Sequence, residues 1–325
     1  MPKKILNKTL QKAKRDKNDE FITQLYDVEK EMQHYRRHFN NKIILCNCDD
    51  PRISAFFHYF SSKFEKLGLK KLITACYKNQ NLNFFSKNDK QKSIYLEYQG
   101  GQNNSLPDLE EINIKNLKGD GDFRSEECIN LLKQADIVVT NPPFSLFKEY
   151  LSQLIKYKKK FIILGNQNAI TYKEVFPLIS DKKIWLGVNN GGIKWFQVPD
   201  DYEADNLKII NGKRYSSMGN IVWYTNLDIK QKQKKLTLFK KFDRVTYPEY
   251  DNFDAININK LNEIPMDYNG PMGVPITFLF KDYHDEFEIL GNLGSYAPDG
   301  YSLSSQIYVN NNKKFKRLLI KKKFL

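Results

Sequence analysis

The sequence has few cysteines, and their spacing excludes the sites that cysteines most often build. Its 325 residues contain only four of them, with no pair of Cys-x-x-Cys units. Structural zinc sites and disulfide frameworks rest on closely spaced cysteines, so neither is expected and no metal is implied. We expect the four thiols to be small buried residues. They are Cys46, Cys48, Cys76 and Cys128.

Long apolar runs are also missing. No stretch is suitable for a membrane span, and the opening Met1-Pro2-Lys3-Lys4 leads into no signal-peptide core. A hydrophobic content of 41% with 14% aromatic residues indicates a folded protein and not a disordered one. We therefore expect a folded cytoplasmic protein that makes no use of a membrane.

Acidic residues are outnumbered by basic ones. The chain has 52 Lys and Arg against 38 Asp and Glu, which gives a formal net charge of +14. Basic residues that displace phosphate counterions supply most non-specific affinity for nucleic acid, so the surplus favours a polyanionic partner. An abundance of Lys, Asn and Ile also arises from AT-rich coding, and the charge alone does not separate these two interpretations.

The most informative stretch runs from residue 135 to residue 147. Its apolar run Ile137-Val138-Val139 predicts a short buried strand of a parallel sheet. The strand ends at Asn141-Pro142-Pro143-Phe144, because two prolines cannot continue a hydrogen-bonded ladder. The loop is therefore expected at the carboxyl end of a strand, where open α/β sheets bind their ligands.

The groups in this loop suit methylation of an amine on an aromatic base, which is a poor nucleophile because its lone pair is delocalised. The side-chain oxygen of Asn141 and the carbonyl of Pro142 can each accept one amine hydrogen and favour a more tetrahedral nitrogen. Phe144 can stack on the base. The stretch has no His, Cys or Glu to act as a base, which fits amine alkylation better than hydrolysis. An ordinary Pro-Pro loop after a strand is the alternative interpretation.

Asp136 together with Asn141-Pro142-Pro143-Phe144 resembles the catalytic motif of S-adenosylmethionine-dependent N6-adenine methyltransferases. The whole chain resembles the EcoRI-type adenine-specific DNA methyltransferases. Residues 46–51, followed by Ser54 and Phe56, match a Cys-Asn-Cys-Asp-Asp-Pro segment of that family, and residues 273–278 resemble its carboxyl-terminal part. The resemblance implies S-adenosylmethionine as the cofactor and adenine in double-stranded DNA as the substrate. It also implies a set of catalytic residues, namely Asn141, Pro142, Pro143 and Phe144.

The same resemblance implies three groups of cofactor-binding residues. One matches a Phe-Tyr-Thr segment that contacts the methionine end, one follows the first strand of the sheet, and one is an Asp-Phe pair that grips the cofactor adenine. In chain order they are Phe21, Thr23, Asn47, Asp49, Asp50, Pro51, Asp122 and Phe123. Ordinary turn and helix-cap chemistry is the alternative for the last two groups. The usual glycines and an acidic residue for the ribose are missing, so the ribose-binding residue stays unassigned.

An aromatic side chain in related enzymes packs against the extruded adenine. Trp195 or Phe196, near a Gly-Gly turn, is the candidate for that role beside Phe144. A core aromatic is the alternative interpretation for both residues.

The order of predicted elements favours an α/β fold, with a Rossmann-like S-adenosylmethionine-dependent methyltransferase sheet that has helices on both faces. Right-handed crossovers make one parallel sheet the economical topology. Strands are predicted at residues 43–45, 71–77, 93–98, 137–139, 161–164, 183–188, 192–198 and 220–225. Helices are predicted at residues 54–67, 125–134 and 145–157.

Three regions are predicted along the chain. Residues 1–20 form a basic flexible arm, residues 21–229 form the methyltransferase catalytic domain with an insertion at about residues 78–118, and residues 230–325 form a smaller target-recognition and DNA-binding region. In the last region, residues 277–280 and 287–290 are strand candidates. The alternating basic and apolar residues at the carboxyl end predict an edge strand or a phosphate-facing strand.

The leading hypothesis is methyl transfer to N6 of an adenine flipped out of a specific duplex DNA sequence, in a restriction-modification role. The family resemblance implies a partner restriction endonuclease acting on the same site, and a monomer is expected. The alternatives are an RNA adenine or a protein amide as acceptor, or a non-catalytic nucleic-acid-binding protein with the same fold. Phe144 in place of Tyr favours DNA, and the intact Asn-Pro-Pro-Phe loop argues against a non-catalytic protein.

Overall fold

The computed structural model describes residues 21–48, 50–77, 93–101, 114–200, 202–229, 236–280, 286–294, 302–304 and 306–323. The predicted arm at residues 1–20, Asp49 and most of the predicted insertion lie outside the described residues. The fold is mixed α/β with several sheets, which confirms the predicted class at that level.

The described helices are numbered in chain order. They are α1 (Leu25–Met32), α2 (Ala55–Ser62), α3 (Phe64–Leu67), α4 (Glu126–Gln134), α5 (Phe147–Lys156) and α6 (Phe176–Ser180). Short 3₁₀ helices lie at Arg36–His38, Phe144–Leu146, Gln167–Thr171, Leu261–Glu263 and Ile276–Phe280.

The described strands are also numbered in chain order. They are β1 (Ile22–Thr23), β2 (Ile43–Asn47), β3 (Lys71–Ala75), β4 (Ile94–Tyr98), β5 (Lys115–Asn116), β6 (Ile137–Thr140), β7 (Lys160–Asn166), β8 (Trp185–Leu186), β9 (Lys194–Gln197), β10 (Leu207–Ile210), β11 (Lys213–Met218), β12 (Ile221–Thr225), β13 (Glu249–Tyr250), β14 (Phe253–Asn257), β15 (Met272–Pro275), β16 (Phe287–Leu293), β17 (Ser302–Ser304), β18 (Tyr308–Val309), β19 (Asn312–Lys313) and β20 (Arg317–Lys322).

The chain divides into two compact units. The first comprises Met1–Asn166 and Asn189–Ile229, and the second comprises Gln167–Val188 and Lys230–Leu325. The second unit therefore joins a short internal segment, which carries α6 and β8, to the carboxyl-terminal part of the chain.

The larger sheet of the first unit has the strand order β5-β4-β3-β2-β6-β7-β12. Its centre is parallel, since β2 pairs in parallel with β3 and β6, and β6 pairs in parallel with β7. The strands β4, β5 and β12 pair antiparallel to their neighbours. Because β2 and β6 are parallel neighbours, the residues that follow them meet at the same edge of the sheet.

Local sequence signals fix the helix ends in this unit. Ser54 caps α2 by accepting from the amide of Phe57, and Ser125 caps α4 by accepting from the amide of Cys128 at 3.2 Å. Gly68, with a φ of 61°, ends α3 in the left-handed conformation that glycine adopts without strain. The single helix predicted at residues 54–67 is divided at Lys63, which has a φ of −115°.

A smaller antiparallel sheet in the first unit has the order β1-β9-β11-β10. The two-residue strand β1 pairs with β9, so that Thr23 lies opposite Phe196. This pairing brings a segment from the beginning of the described chain to the side of a strand more than 170 residues later. Phe21 and Phe196 are both fully buried in the core of this unit.

The second unit contains a sheet with the order β13-β14-β15-β20-β16-β17. The predicted edge strand at the carboxyl end is wrong, because β20 lies between β15 and β16 and buries Leu318, Leu319 and Ile320. The predicted strand at residues 277–280 is also wrong, because Ile276–Phe280 is a 3₁₀ helix. The predicted strand at residues 287–290 is confirmed within β16. No helix among the described residues has both the length and the apolar character needed to cross a membrane.

Candidate active site

Asn141 lies directly after β6, at the carboxyl edge of the larger sheet, with Pro142 and Pro143 buried beside it. Its side chain is 5% exposed, and its Nδ2 donates to the carbonyl oxygen of Phe21 at 2.6 Å. The Oδ1 of the same amide is buried and has no hydrogen-bond partner among the described residues. An unpaired buried acceptor costs about 1–3 kcal/mol, so an unpaired oxygen at this position points to a donor supplied by a ligand.

An aromatic cluster lies beside Asn141 and consists of Phe21, Phe144, Phe196 and Tyr202. The ring centroid of Phe21 is 5.8 Å from that of Phe144, 6.4 Å from that of Phe196 and 5.4 Å from that of Tyr202. Phe144 and Phe196 meet edge to face at 6.5 Å. Phe144 is half-buried whereas Phe21 and Phe196 are fully buried, so Phe144 is the ring of these three with a face to offer a planar ligand.

Thr23 adds a second unpaired polar atom, which the pairing of β1 brings close to the aromatic cluster. It is 2% exposed, and its Oγ1 has no partner among the described residues. Thr23 lies opposite Phe196 in the pairing of β1 with β9, and it follows Phe21 by two residues. The predicted residues Phe21, Thr23, Asn141, Phe144 and Phe196 are therefore brought together by the fold.

Trp195 is separated from this group by the pleat of β9. Adjacent residues of a strand face opposite sides of the sheet, so Trp195 and Phe196 cannot both join the aromatic cluster. Trp195 is half-buried, and the ammonium of Lys208 lies 4.2 Å from its ring centroid. Of the two candidate rings, the geometry favours Phe196 as the neighbour of Phe144.

Asn47 ends β2, the strand next to β6 in the larger sheet. Its side-chain Oδ1 accepts from the hydroxyl of Tyr150, and its carbonyl oxygen accepts from the hydroxyl of Thr140. Tyr150 is fully buried on α5, and burial raises the pKa of its hydroxyl well above the usual value. The hydroxyl therefore stays protonated and acts as a permanent donor to Asn47.

Asp50 and Pro51 are buried in the turn that leads from β2 into α2. The Asp50 carboxylate accepts from the backbone amide of Arg52 at 2.8 Å and from its Nε at 2.9 Å, and it forms an ion pair with the same guanidinium. Its backbone oxygen accepts from the amides of Ile53 and Ser54. The side-chain carboxylate and the backbone carbonyl of Asp50 both therefore stabilise the turn. Asp49 beside it lies outside the described residues.

Asp122 and Phe123 lie just before α4. Asp122 accepts from the amide of Arg124 at 2.8 Å and from its Nε at 2.9 Å, and these hydrogen bonds hold the pKa of the carboxyl below its ordinary value. Phe123 is buried and meets the ring of Tyr150 edge to face at 5.0 Å. Tyr150 therefore contacts the predicted cofactor residues Asn47 and Phe123 at the same time.

Asp136 belongs to the catalytic motif in sequence but lies at the other end of β6. Its carboxylate accepts from the backbone amide of Ile43, the first residue of β2, at 2.8 Å. This bond holds the beginnings of the two parallel strands together, whereas Asn47 and Asn141 lie at their ends. Asp136 is therefore a structural residue of the sheet.

Two side chains near the site carry no sequence signal of their own. Tyr150 lies on the apolar face of α5 with Phe147, Leu151 and Leu154, and that spacing indicates packing only. Tyr202 contacts the Phe21 ring through a loop that follows β9. No cluster of three or more His, Cys, Asp or Glu side chains suited to a metal ion occurs within the described part of the chain.

Comparison with protein families gives a match to the family described as adenine-specific methyltransferase EcoRI, over residues 9–323. The chain is 52% identical over 296 residues to the type II methyltransferase M.EcoRI of Escherichia coli, which covers 89% of this chain and 90% of that protein.

Two mycoplasma proteins are also similar over nearly their whole length. The type II methyltransferase M.MgeORF184P of Mycoplasma genitalium is 36% identical over 328 residues, covering 96% of this chain and 98% of that protein. The type II methyltransferase M.MpnI of Mycoplasma pneumoniae is 34% identical over 308 residues, covering 93% and 91%. No solved structure matches the chain.

Proposed function

The chain belongs to the EcoRI family of adenine-specific methyltransferases, and we propose that it methylates N6 of an adenine flipped out of a specific duplex DNA sequence. It is an adenine-specific DNA methyltransferase of the type II class, which acts in restriction-modification. We propose S-adenosylmethionine as the methyl donor.

The observation that carries the proposal is the Oδ1 of Asn141, which is buried and has no hydrogen-bond partner in the described part of the chain. The N6 amine of the target adenine donates one hydrogen to this oxygen and the other to the carbonyl of Pro142. These fixed acceptors stabilise the positive charge that develops on the nitrogen as it attacks, so no general base is needed to begin the reaction. Pro142 and Pro143 keep the loop rigid, and Phe144 stacks on the flipped base.

The cofactor side is assigned to Thr23 on β1, to the end of β2 with the turn that follows it, and to the Asp122-Phe123 pair before α4. Thr23, whose buried hydroxyl has no partner among the described residues, suits the polar methionine end, and the Phe123 ring suits the cofactor adenine. Asn47, Asp49, Asp50, Pro51 and Asp122 complete the proposed set. The bound cofactor would supply a methyl group on a sulfonium centre, and holding the amine in line with it favours direct displacement. The nitrogen–carbon bond would form as the carbon–sulfur bond breaks and leaves a neutral thioether, and the methylated nitrogen would then lose one proton to solvent.

Phe21 acts through its backbone in this proposal. Its carbonyl oxygen holds Asn141 Nδ2 and thereby fixes which end of the amide is left as the acceptor. Thr23 follows two residues later on β1, so one segment contacts the methionine end of the cofactor and orients the catalytic amide. The donor and the acceptor of the methyl group are thus positioned by a single element.

The parallel order β3-β2-β6-β7 at the centre of the larger sheet supports a Rossmann-like arrangement with helices on both faces. We assign catalysis to the first compact unit and target recognition to the second. The net charge of +14 supports phosphate contacts along a DNA duplex. A partner endonuclease for the same site, a monomeric state and a cytoplasmic location complete the proposal.

The proposal is tested by incubating the protein with methyl-labelled S-adenosylmethionine and duplex DNA, digesting the DNA to nucleosides and locating the label. We expect the label only in N6-methyldeoxyadenosine, and sequencing should place it within one short recognition sequence. RNA of the same sequence serves as the control substrate and should remain unlabelled. Label in cytosine, in RNA or in the protein itself would contradict the proposal.

A further inference from the structure

A hairpin of the first unit exposes two adjacent isoleucines at its tip. It is formed by β10 and β11, which are joined by Asn211-Gly212. Both turn residues have positive φ, of 50° and 72°, as a tight type I′ turn requires. The side chains of Ile209 and Ile210 are 74% and 52% exposed. Single exposed apolar residues are common on protein surfaces, but an adjacent pair at a rigid tip calls for a partner.

The charge of the hairpin indicates what kind of partner this is. Residues 207–218 contain three basic side chains and no acidic one. Lys208 and Lys213 are exposed at the tip, and Arg214 follows them on β11. This combination of apolar and basic groups is complementary to a nucleic acid, which offers phosphates outside and apolar base faces inside.

The strand register connects the tip to the proposed active site. Ile209 lies opposite Arg214, Leu207 opposite Ser216, and Ser216 opposite Phe196. Opposite residues and alternate residues share a face of the sheet, so Ile209 is on the same face as Phe196. Leu207 packs on the core of that face, and Ile209 extends beyond it.

The base of the hairpin is also fixed to the aromatic cluster. The Arg214 guanidinium donates to the carbonyl oxygen of Asp200 and, at 3.1 Å, to that of Tyr202. Tyr202 in turn meets the Phe21 ring edge to face at 5.4 Å. Hydrogen bonds and ring contacts therefore connect the strands of the hairpin to the residues around Asn141, so the position of the tip is fixed relative to them.

We propose that Ile209 is the apolar wedge that enters the duplex beside the target adenine, while Lys208 and Lys213 contact the flanking phosphates. Apolar side chains inserted at a base step hold it unstacked, and a flipped adenine leaves such a gap in the stack. The inference rests on the proposed function. A second copy of the chain is a poorer occupant, because pairing two of these edge strands would bring like charges together.

The test compares Ile209→Ala with Ile193→Ala on two duplexes that carry the recognised site. Ile193 is 67% exposed in the same unit and serves as the matched control. In one duplex the target adenine is paired, and in the other it is mismatched and already partly unstacked. We expect Ile209→Ala to slow methylation of the paired duplex by about tenfold or more, and to methylate the mismatched duplex within about twofold of the wild-type rate. Ile193→Ala should match the wild type on both.

A second readout replaces the target adenine by 2-aminopurine, whose fluorescence rises when it leaves the stack. We expect the wild type to give this rise and Ile209→Ala to give less than half of it. If Ile209→Ala lost rate equally on both duplexes, or on neither, the assignment of Ile209 as the wedge would be overturned. So would a wild-type dimer that Ile209→Ala converts to a monomer with normal fluorescence.

These outcomes separate the wedge from the proposed function. If the wild type methylates N6 of the paired duplex and Ile209→Ala does so equally well, only the wedge fails. If the wild type methylates neither duplex, the proposed function fails and the wedge fails with it.

Discussion

Two sides of the proposed active site treat their buried polar atoms in opposite ways. The acceptor side, where the target amine meets the methionine end of the cofactor, consists of Asn141, Thr23 and the aromatic cluster, and two of its buried oxygens have no partner among the described residues. The cofactor side consists of Asn47, Asp50 and the Asp122-Phe123 pair. There, each described polar side chain is already hydrogen-bonded to a neighbour, which is Tyr150, Arg52 or Arg124.

This difference indicates two ways of preparing a binding site. The acceptor side keeps unpaired acceptors in fixed positions and accepts a cost in stability, which is expected where charge develops during a reaction. The cofactor side satisfies its polar groups within the chain and offers only their remaining lone pairs to a ligand. We therefore expect substitutions on the acceptor side to have the larger effects, on the rate of transfer at Asn141 and on cofactor affinity at Thr23. Those on the cofactor side should have smaller effects on affinity.

The largest effect is expected for Asn141→Ala. This change removes the acceptor for the N6 amine, and we expect the rate of methyl transfer to fall by at least about 100-fold, as when one fixed group of an oxyanion hole is lost. DNA affinity should stay within about twofold of the wild type, because the phosphate contacts are unchanged. The measurements are single-turnover methylation and DNA binding on the same protein sample.

The matched control for that variant is Asn130→Ala, which removes an exposed asparagine from α4. It should leave the methylation rate unchanged. A rate for Asn141→Ala within about threefold of the wild type would contradict the catalytic role of the unpaired oxygen, and with it the contrast between the two sides.

The next effect is expected for Thr23→Val, which removes an unpaired buried hydroxyl while keeping the shape of the side chain. We expect the free energy of unfolding to rise by about 1 kcal/mol and the affinity for S-adenosylmethionine to fall by about tenfold. Urea denaturation and calorimetry measure the two quantities.

Thr140→Val is the matched control, because the Thr140 hydroxyl is equally buried but donates to the carbonyl oxygen of Asn47. Its loss should lower the free energy of unfolding by about 1 kcal/mol. If the two valine variants changed stability in the same direction, the contrast between unpaired and paired hydroxyls would be wrong.

A smaller effect is expected for Tyr150→Phe on the cofactor side. The variant leaves Oδ1 of Asn47 without its donor, so we expect about a fivefold loss of cofactor affinity, equivalent to about 1 kcal/mol. Because burial raises the pKa of Tyr150, the wild type should keep its cofactor affinity up to about pH 10. Tyr157→Phe, just after the same helix, should behave like the wild type. A 100-fold loss in the rate of transfer with unchanged affinity would assign Tyr150 to the acceptor side.

The smallest effect is expected for Arg124→Gln. Arg124 holds the pKa of Asp122 below its ordinary value, so the pair stabilises the fold above about pH 4 and loses that contribution as the pH falls through the lowered pKa. The pair is partly exposed, and we expect a loss of less than about 0.5 kcal/mol at pH 7 and none once the pH lies well below the lowered pKa of Asp122. Urea denaturation at several pH values measures this, and a loss that grows as the pH falls would contradict the assigned direction.

Local signals in the sequence predict much of this architecture. The apolar run before Asn141 and the two prolines after it mark the end of β6, and serine caps and Gly68 mark helix ends. These features depend on the backbone preferences of a few adjacent residues. They can be read from the sequence without knowing what packs against them.

Features that depend on distant pairing could not be predicted. The basic and apolar alternation of β20 is typical of an exposed strand, but its neighbours β15 and β16 cover both edges. The run at residues 276–280 is apolar except for Thr277, so it has no period that separates a strand from a helix. Tyr150 resembles any other core residue of an amphipathic helix until Asn47 is placed beside it.

The central claim is that the unpaired oxygen of Asn141 receives the target amine. It is tested most directly by a crystal structure of the protein with a duplex carrying its recognition site and a non-reactive cofactor analogue. We predict that N6 of a flipped adenine lies within about 3.2 Å of Asn141 Oδ1, with Asn141 Nδ2 still bonded to the Phe21 carbonyl. An adenine bound with its N6 amine away from Asn141, or an Oδ1 paired with a group of the protein itself, would contradict the account.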